Sequence, residues 1–302
     1  MANKRTFLLQ GVTLNGVAVG GAASLSFDPA YKDVIRSTPD NAQGIAEVLR
    51  SGLRVPFTFD CSDVANLNQL LVASGVTTFH VKQAGRANWT QYTITAATLV
   101  PTGMRLTLSK SADPKLTISG LVKFTNSTDG LSKIFVPNEG ITATPTRTSP
   151  LRLYRPQSAA FNPGTAISPI HVESINLSLD AEVAEDYGDT DIAVTSVDIK
   201  TWNTLRVSMA FRDATMIAGT PATNIASQLV DAIAGILTVT LKDLSGGANK
   251  VLTVNNLLWT GESHKEGGDF SEFTVSGECG WLQTAPSTFY QMNAATKLFG
   301  FA

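Results

Sequence analysis

The chain has 302 residues, 43% of them apolar and 16% charged, with a formal net charge of −2. That composition excludes a disordered chain and gives enough length for two ordinary domains, each able to bury a core. No apolar run approaches the roughly 20 residues needed to cross a bilayer, and scattered Lys and Arg under a pI of about 5.9 argue against a basic patch that reads nucleic acid.

From the N-terminus, Lys4 and Arg5 are followed by no apolar run of signal-peptide length, so a protein kept in a cytosol is expected. Residues 6–27 read as a β-hairpin, with Phe7-Leu8-Leu9, a turn at Leu14-Asn15-Gly16 and a return strand from Val17 to Phe27. A long, charged, Pro-bearing link occupies residues 28–50. Loops of that length in a compact domain are commonly functional. The strand Leu53-Arg54-Val55-Pro56-Phe57-Thr58-Phe59 alternates Leu53, Val55, Phe57 and Phe59 against Arg54 and Thr58. Pro56 cannot donate to a ladder, which places this strand at an edge or a bulge. A short helical pattern at 64–73, strands at 78–82 and 92–99, a strand at 104–109 with no clear counterpart later, and a last strand at 116–120 complete the first half.

Residues 137–150 carry three prolines and four threonines and read as an extended linker. Beyond it the same order returns. Leu205-Arg206-Val207-Ser208-Met209-Ala210-Phe211 repeats the earlier heptad at an offset of 152 residues, with four identities. Upstream, Asn176-Leu177-Ser178-Leu179-Asp180 answers the strand at 23–28, and residues 181–202 repeat the long acidic-to-mixed link. Downstream come a helical pattern at 226–233 and strands at 237–242, 251–258 and 273–277. Two tandem, mainly β domains are expected, residues 1–136 and 151–302, each a sandwich or barrel with a short helix. The aromatic tail through Phe301 docks on its own domain or on a neighbour. Residues 1–150 hold 14 Lys and Arg against 9 Asp and Glu, whereas residues 151–302 hold 9 against 16. Opposite charge on two copies of one fold lets them attract each other.

Side chains for chemistry do not assemble in the sequence. His80, His171 and His264 stand at no metal-ligand spacing, and no phosphate loop or nucleophile elbow occurs. The carboxylates of 180–191 depart from a calcium loop. Cys61 and Cys279 are not at equivalent repeat positions and read as buried, reduced thiols. No catalytic, cofactor or metal site is expected, and no enzyme.

The duplicated unit of strand, long charged loop and strand, followed by a helix and further strands, resembles the tail tube proteins (major tail proteins) of tailed bacteriophages. The residues carrying it are Leu25 to Phe59 and Leu177 to Phe211, the helical patterns, and the strands after them. The resemblance implies a non-enzymatic structural protein of the virion tail, assembled in the host cytoplasm, with no cofactor. Two such units in one chain imply homotrimers forming a pseudo-hexameric ring, stacked into a non-contractile tail tube around a lumen for DNA ejection. The implied partners are the protein itself, double-stranded DNA and a tape measure protein within the lumen, and terminator and distal tail or baseplate proteins at the ends. Inter-ring stacking would fall to Tyr31, Lys32, Asp33, Arg36, Glu185, Asp186 and Tyr187 in the long links. Arg54 and Arg206 would face the lumen if the polar strand face lines it. The alternatives are a tail hub or terminator ring of the same machine, or a two-domain adhesin or carbohydrate-binding protein.

Overall fold

A computed structural model describes residues 7–36, 47–64, 70, 75–83, 87–95, 97–126, 128, 130–141, 153–163, 167, 172–187, 193–212, 228–229, 232–265, 272–279 and 299–301. The protein is mainly β. The first half contains β1 (Phe7–Leu14), β2 (Val17–Val19), β3 (Ala22–Phe27), β4 (Ala30–Arg36), β5 (Glu47–Arg54) and β6 (Pro56–Cys61), then β7 (Thr78–Gln83), β8 (Trp89–Thr93), β9 (Ala97–Ser109), β10 (Lys115–Phe124) and β11 (Val136–Ile141). The second contains β12 (Tyr154–Asn162), β13 (Val172–Asp186), β14 (Ser196–Trp202), β15 (Leu205–Phe211), β16 (Gly235–Asp243), β17 (Lys250–Lys265), β18 (Glu272–Cys279) and β19 (Phe299–Phe301).

The chain opens on the expected hairpin. Leu14 pairs with Val17 across a two-residue turn in which Asn15 and Gly16 have φ of 48° and 85°. Positive φ at both positions favours Asn-Gly, and the turn's twist matches that of the strands. Asn15 is fully buried. Its Nδ2 donates to the Leu99 carbonyl at 2.7 Å and its backbone N–H to Thr77 Oγ1 at 3.0 Å. The return strand, expected to be continuous, breaks at Gly20-Gly21, so β2 stays with β1 while β3 crosses to the other layer.

In the first half, the sheet β11-β8-β7-β1-β2 packs on β3-β6-β10-β9. Period-2 alternation puts Phe57, Phe59, Met104, Leu106, Leu108, Leu116 and Ile118 into the core between them, and Phe27 meets Phe79 at 6.4 Å. β6 lies inside its sheet, between β3 and β10, so Pro56 does not mark an edge. It stands at the first position of the strand, where the missing donor is tolerated. The expected strand at 92–99 is interrupted, with β8 in one layer and β9 in the other. In the second half its counterpart β17 runs uninterrupted from β16 to β18 and joins the two layers. Residues 137–141 of the expected linker belong to β11, hydrogen-bonded to β8, and 142–150 lie outside the described residues. The helices expected at 64–73 and 226–233 also fall largely outside them, although Val64, Leu70 and Leu229 are fully buried. β19 pairs with β17, docking the end of the tail on its own half.

Both halves repeat one sheet. The order β3-β6-β10-β9 is followed directly by β13-β15-β18-β17, and β9 pairs with β13, so the two four-stranded units form one continuous sheet with one continuous core. The register is anchored by a bulge. Gly120 faces Pro101 and Ser119 faces Gly103, leaving Thr102 extra. Gly277 faces Trp259 and Ser276 faces Gly261, leaving Thr260 extra. Carried across the ladders, this equates Phe57 with Val207, Phe59 with Met209 and Leu25 with Ile175, an offset of 150 residues. The heptad match at 152 is therefore two residues out of register. An even slip preserves the buried face, because side chains alternate with period 2, but it wrongly equates Arg54 with Arg206. The strand at 104–109, expected to be unmatched, is the end of β9 and corresponds to the stretch of β17 after Gly261.

Both bulge glycines are required by close approach. A Cβ on Gly120 would run into the Val100 carbonyl and lie 2.6 Å from the Phe57 ring, and one on Gly277 would lie 2.6 Å from the Leu258 carbonyl. Gly120→Ala and Gly277→Ala are each expected to cost about 1–3 kcal/mol in urea unfolding. Gly130→Ala, with nothing within 4 Å of the added methyl, should change the midpoint little.

Cys61 and Cys279 are buried free thiols. Burial pushes both up to about 12 from the ordinary value near 9, with acidic neighbours adding to the shift. The neutral thiol is the folded form, so its contribution to stability is complete below pH 9 and declines as pH rises from there towards 12. Ellman's reagent should leave both thiols untouched in the folded protein and titrate both in denaturant. The alkaline fall in the urea midpoint should be shallower when both are replaced by Ala.

Candidate functional site

The apolar face of the long sheet is covered by the second layer, and among the described residues much of the other face is open. Pairing sets one row across it, Ser24–Asp60–Thr117–Arg105–Ser178–Arg206–Glu278–Leu258, a residue from each of eight consecutive strands. Neighbouring positions on this face are Ser26, Thr58, Ser119, Thr107, Asn176, Ser208 and Ser276. Small hydroxylated side chains dominate, and charges are interspersed and balanced. Arg206 Nε lies 3.4 Å from Glu278 Oε1 on an exposed part of the face. Asp60 accepts hydrogen bonds from Thr117 and Ser24, with Lys115 Nζ at 3.4 Å. Burial alone would raise the Asp60 carboxyl, but these donors and the ammonium outweigh it and hold it below the usual range. A shallow groove of about 410 Å³ runs over Arg105, Asn176, Arg206, Thr260 and Glu278.

The joint at the middle of this row is antiparallel. Met104, Leu106 and Leu108 face Leu179, Leu177 and Ile175 on the core side, while Arg105, Thr107 and Ser109 face Ser178, Asn176 and Ser174 on the open side. Lys110 reaches Glu173 at 4.0 Å across it. Gly103 is closed in, because a Cβ there would lie 2.8 Å from Asp180 Oδ1 on the facing strand. Its counterpart Gly261 has open space at the same position.

In each long link expected as a loop, the described residues pair as two antiparallel strands that form an arm. β4 pairs with β5 as a separate two-stranded sheet, and the outer part of β13 pairs with β14. The arms escape a sequence reading because charged strands with little apolar alternation look like loop. The second arm lies on the first half. Val194 N–H donates to the Leu53 carbonyl at 3.2 Å, and Phe124 N–H donates to the Val194 carbonyl at 2.8 Å. Val183, Tyr187, Val194 and Val197 cover Leu121 and Val100 in a small satellite core. Arg54 Nε donates to both carboxylate oxygens of Glu185, at 2.8 and 3.0 Å, and Tyr187 OH donates to Glu185 Oε2 at 3.4 Å. Burial, then the adjacent Glu185 carboxylate, pushes the Tyr187 phenol up.

The residues singled out from sequence therefore separate into three groups. Tyr31, Lys32, Asp33 and Arg36 lie along β4, opposite the strand that ends at Arg54, and Tyr31 is exposed. Glu185 and Tyr187 are joined to Arg54 across the two halves, and Asp186 ends β13 opposite Ser196. Arg206 stands on the open polar face, away from Arg54. Arg105, its neighbour across Ser178, was not singled out; its place on a polar-faced strand was the available signal. His80 Nδ1 lies 3.0 Å from the Gly11 carbonyl, while His171 falls outside the described residues. Among the described residues no three His, Cys, Asp or Glu side chains gather as a metal site. No protein-family model matches the chain, and no curated protein matches it in sequence.

The Arg54 side chain is 43% exposed, so its pair with Glu185 is expected to contribute modestly. A double-mutant cycle of Arg54→Ala and Glu185→Gln should give a coupling of about 0.5–1 kcal/mol that shrinks in high salt. A coupling of zero would mean that the satellite core and the backbone bonds through Val194 hold the arm without the ion pair.

Proposed function

We propose that this protein is the structural subunit of a bacteriophage tail tube, assembling as trimeric, pseudo-sixfold rings that stack around a lumen for DNA. The observation that carries the reading is the joint between β9 and β13. It links the last strand of one sheet unit to the first strand of the next, so the chain ends with the same two kinds of edge still open. Among the described residues, β3 is paired only by β6, and β17 after Gly261 only by β18. Exposed edges seek partners. A head-to-tail contact of β17 on β3 would repeat between copies what β9 and β13 do within one, and such a contact closes when its rotation fits a ring.

The stagger suits closure. Following the row from Ser24 through four strand steps reaches Ser178, whereas the counterpart of Ser24 is Ser174. Each unit of four strands thus advances the register by four residues. With about 3.3 Å per residue and about 4.8 Å between strands, the strands would tilt by about 35°, within the usual range for barrels. Three copies of the eight-strand row make 24 strands. At that tilt the backbone ring would be about 45 Å across, wider than a DNA duplex.

The open face suits a conduit. Hydroxyls and balanced charges, with Arg206 beside Glu278 and Arg105 two strands from Asp60, offer a passing polyanion no continuous cationic track to which it could bind and stall. The basic first half and acidic second half would alternate around the ring. Tyr31, Lys32, Asp33, Arg36 and Asp186, on the arms, remain the proposed contacts to the next ring, and Glu185 is already bonded to Arg54 and Tyr187.

Mass photometry and negative-stain electron microscopy of the purified chain test this directly. Species of about 96 kDa, three chains of 32.0 kDa, appearing as hollow rings or tubes, are expected. Rings that never stack would favour the hub, and a chain that stays monomeric at every concentration would count against the reading. Assembly should weaken with added salt if the alternating charge contributes.

A further inference from the structure

The second arm has a defined seat, and the repeat places a vacant counterpart of that seat at the other end of the molecule. On the first half the arm covers Val100 and Leu121. In the bulge-anchored register these correspond to Leu258 and Glu278, which pair with each other as Val100 pairs with Leu121. Val100 is packed beneath the arm, but Leu258 is 44% exposed. An exposed leucine alone carries little meaning. Here its counterpart is covered by an arm, and an equivalent arm exists, β4 with β5, that forms a separate sheet. That arm springs from β3, at the opposite end of the eight-residue row from Leu258. Arg54 is held by Glu185, and the rest of the arm's strands carry Lys32, Arg36 and Arg50 against Asp33 and Glu47, a small basic excess suited to Glu278.

We propose that Leu258 and Glu278 seat the β4–β5 arm of a second copy of this chain, within one ring, as Val100 and Leu121 seat the β13–β14 arm within the chain. The inference rests on the ring reading and adds a specific contact to it. The Ile35–Val48 level of the arm, far along the ladder from Ala30 and Arg54, grips the neighbour in its own ring, where the sequence alone assigned the arms to stacking between rings. Val48 pairs with Ile35 as Val197 pairs with Glu185, so the ladder register gives Val48 the position along its arm that Val197 has along the other. The matching edge contact would set Lys265 opposite Ser26 and Gly261 opposite Ala30, as Thr107 faces Asn176 and Gly103 faces Asp180.

Two variants make this testable. Val48→Cys chains mixed with Leu258→Cys chains, treated with a short bis-maleimide, should give a covalent two-chain product. Val48→Cys with Leu244→Cys, at the far turn between β16 and β17, should not. The native Cys61 and Cys279 are buried and stay silent. Leu258→Asp should raise the concentration needed for assembly at least tenfold, and Leu244→Asp, at a side chain 45% exposed, should leave it unchanged. Rings that form normally with Leu258→Asp and yield no cross-link would overturn the seat while leaving the ring reading intact. Absence of any assembly by the unsubstituted chain would overturn both.

Discussion

Everything in this structure depends on one backbone ladder, that between β9 and β13. Seven residues of each strand are paired there, and without it the two halves would be separate sandwiches with exposed edges. With it they share a sheet, a core and a common polar face. The ladder is antiparallel and apolar on one side only, which fixes its register against one-residue slips, since a slip would turn Met104, Leu106 and Leu108 to water. Lys110 with Glu173, and Arg54 with Glu185, add ion pairs across the same boundary, both from the basic half to the acidic half.

The ladder also explains why the two glycines at 120 and 277 recur. A sheet that must coil to join a neighbour at a constant stagger needs a place where the twist increases, and a bulge provides it. In the first half the bulge separates the open polar face from the stretch where Leu121 and Val100 accept the arm. In the second it separates Thr260 and Ser276 from Leu258. One local device therefore divides the first half into a bare segment and a segment covered by a hairpin, and sets Leu258 apart in the same way in the second.

How much of this was legible in the sequence depended on whether burial left a pattern. The core strands were, because Phe57, Phe59, Leu106, Ile118, Val239 and Val275 alternate with polar residues and become fully buried. So was the Asn15-Gly16 turn. The arms were not, because Lys32, Asp33, Glu182 and Glu185 sit on strands that show no apolar stripe. The repeat was visible, but its register was not. Leu-Arg-Val identity favours an offset of 152, while the hydrogen bonds set 150, and period-2 burial scores both alike. That slip is why Arg54 and Arg206 seemed equivalent, although one clamps an arm and the other lies on the open face.

The asymmetry between the halves is the more informative result. In a perfect repeat both arms and both seats would be interchangeable, and chains could pair in either order. Here the seat occupied within the chain has Leu121 and an arginine that grips Glu185, whereas the vacant seat has Glu278 already beside Arg206. Thr204 stands where Arg54 does, at the bulge-anchored offset, and carries no charge, so the intramolecular ion pair has no counterpart on the second half. The internal joint is thereby the better satisfied of the two. In the proposed ring, a chain built this way would fold its own two units together before accepting a neighbour, and reversible association would fall to β3, the first arm and β17.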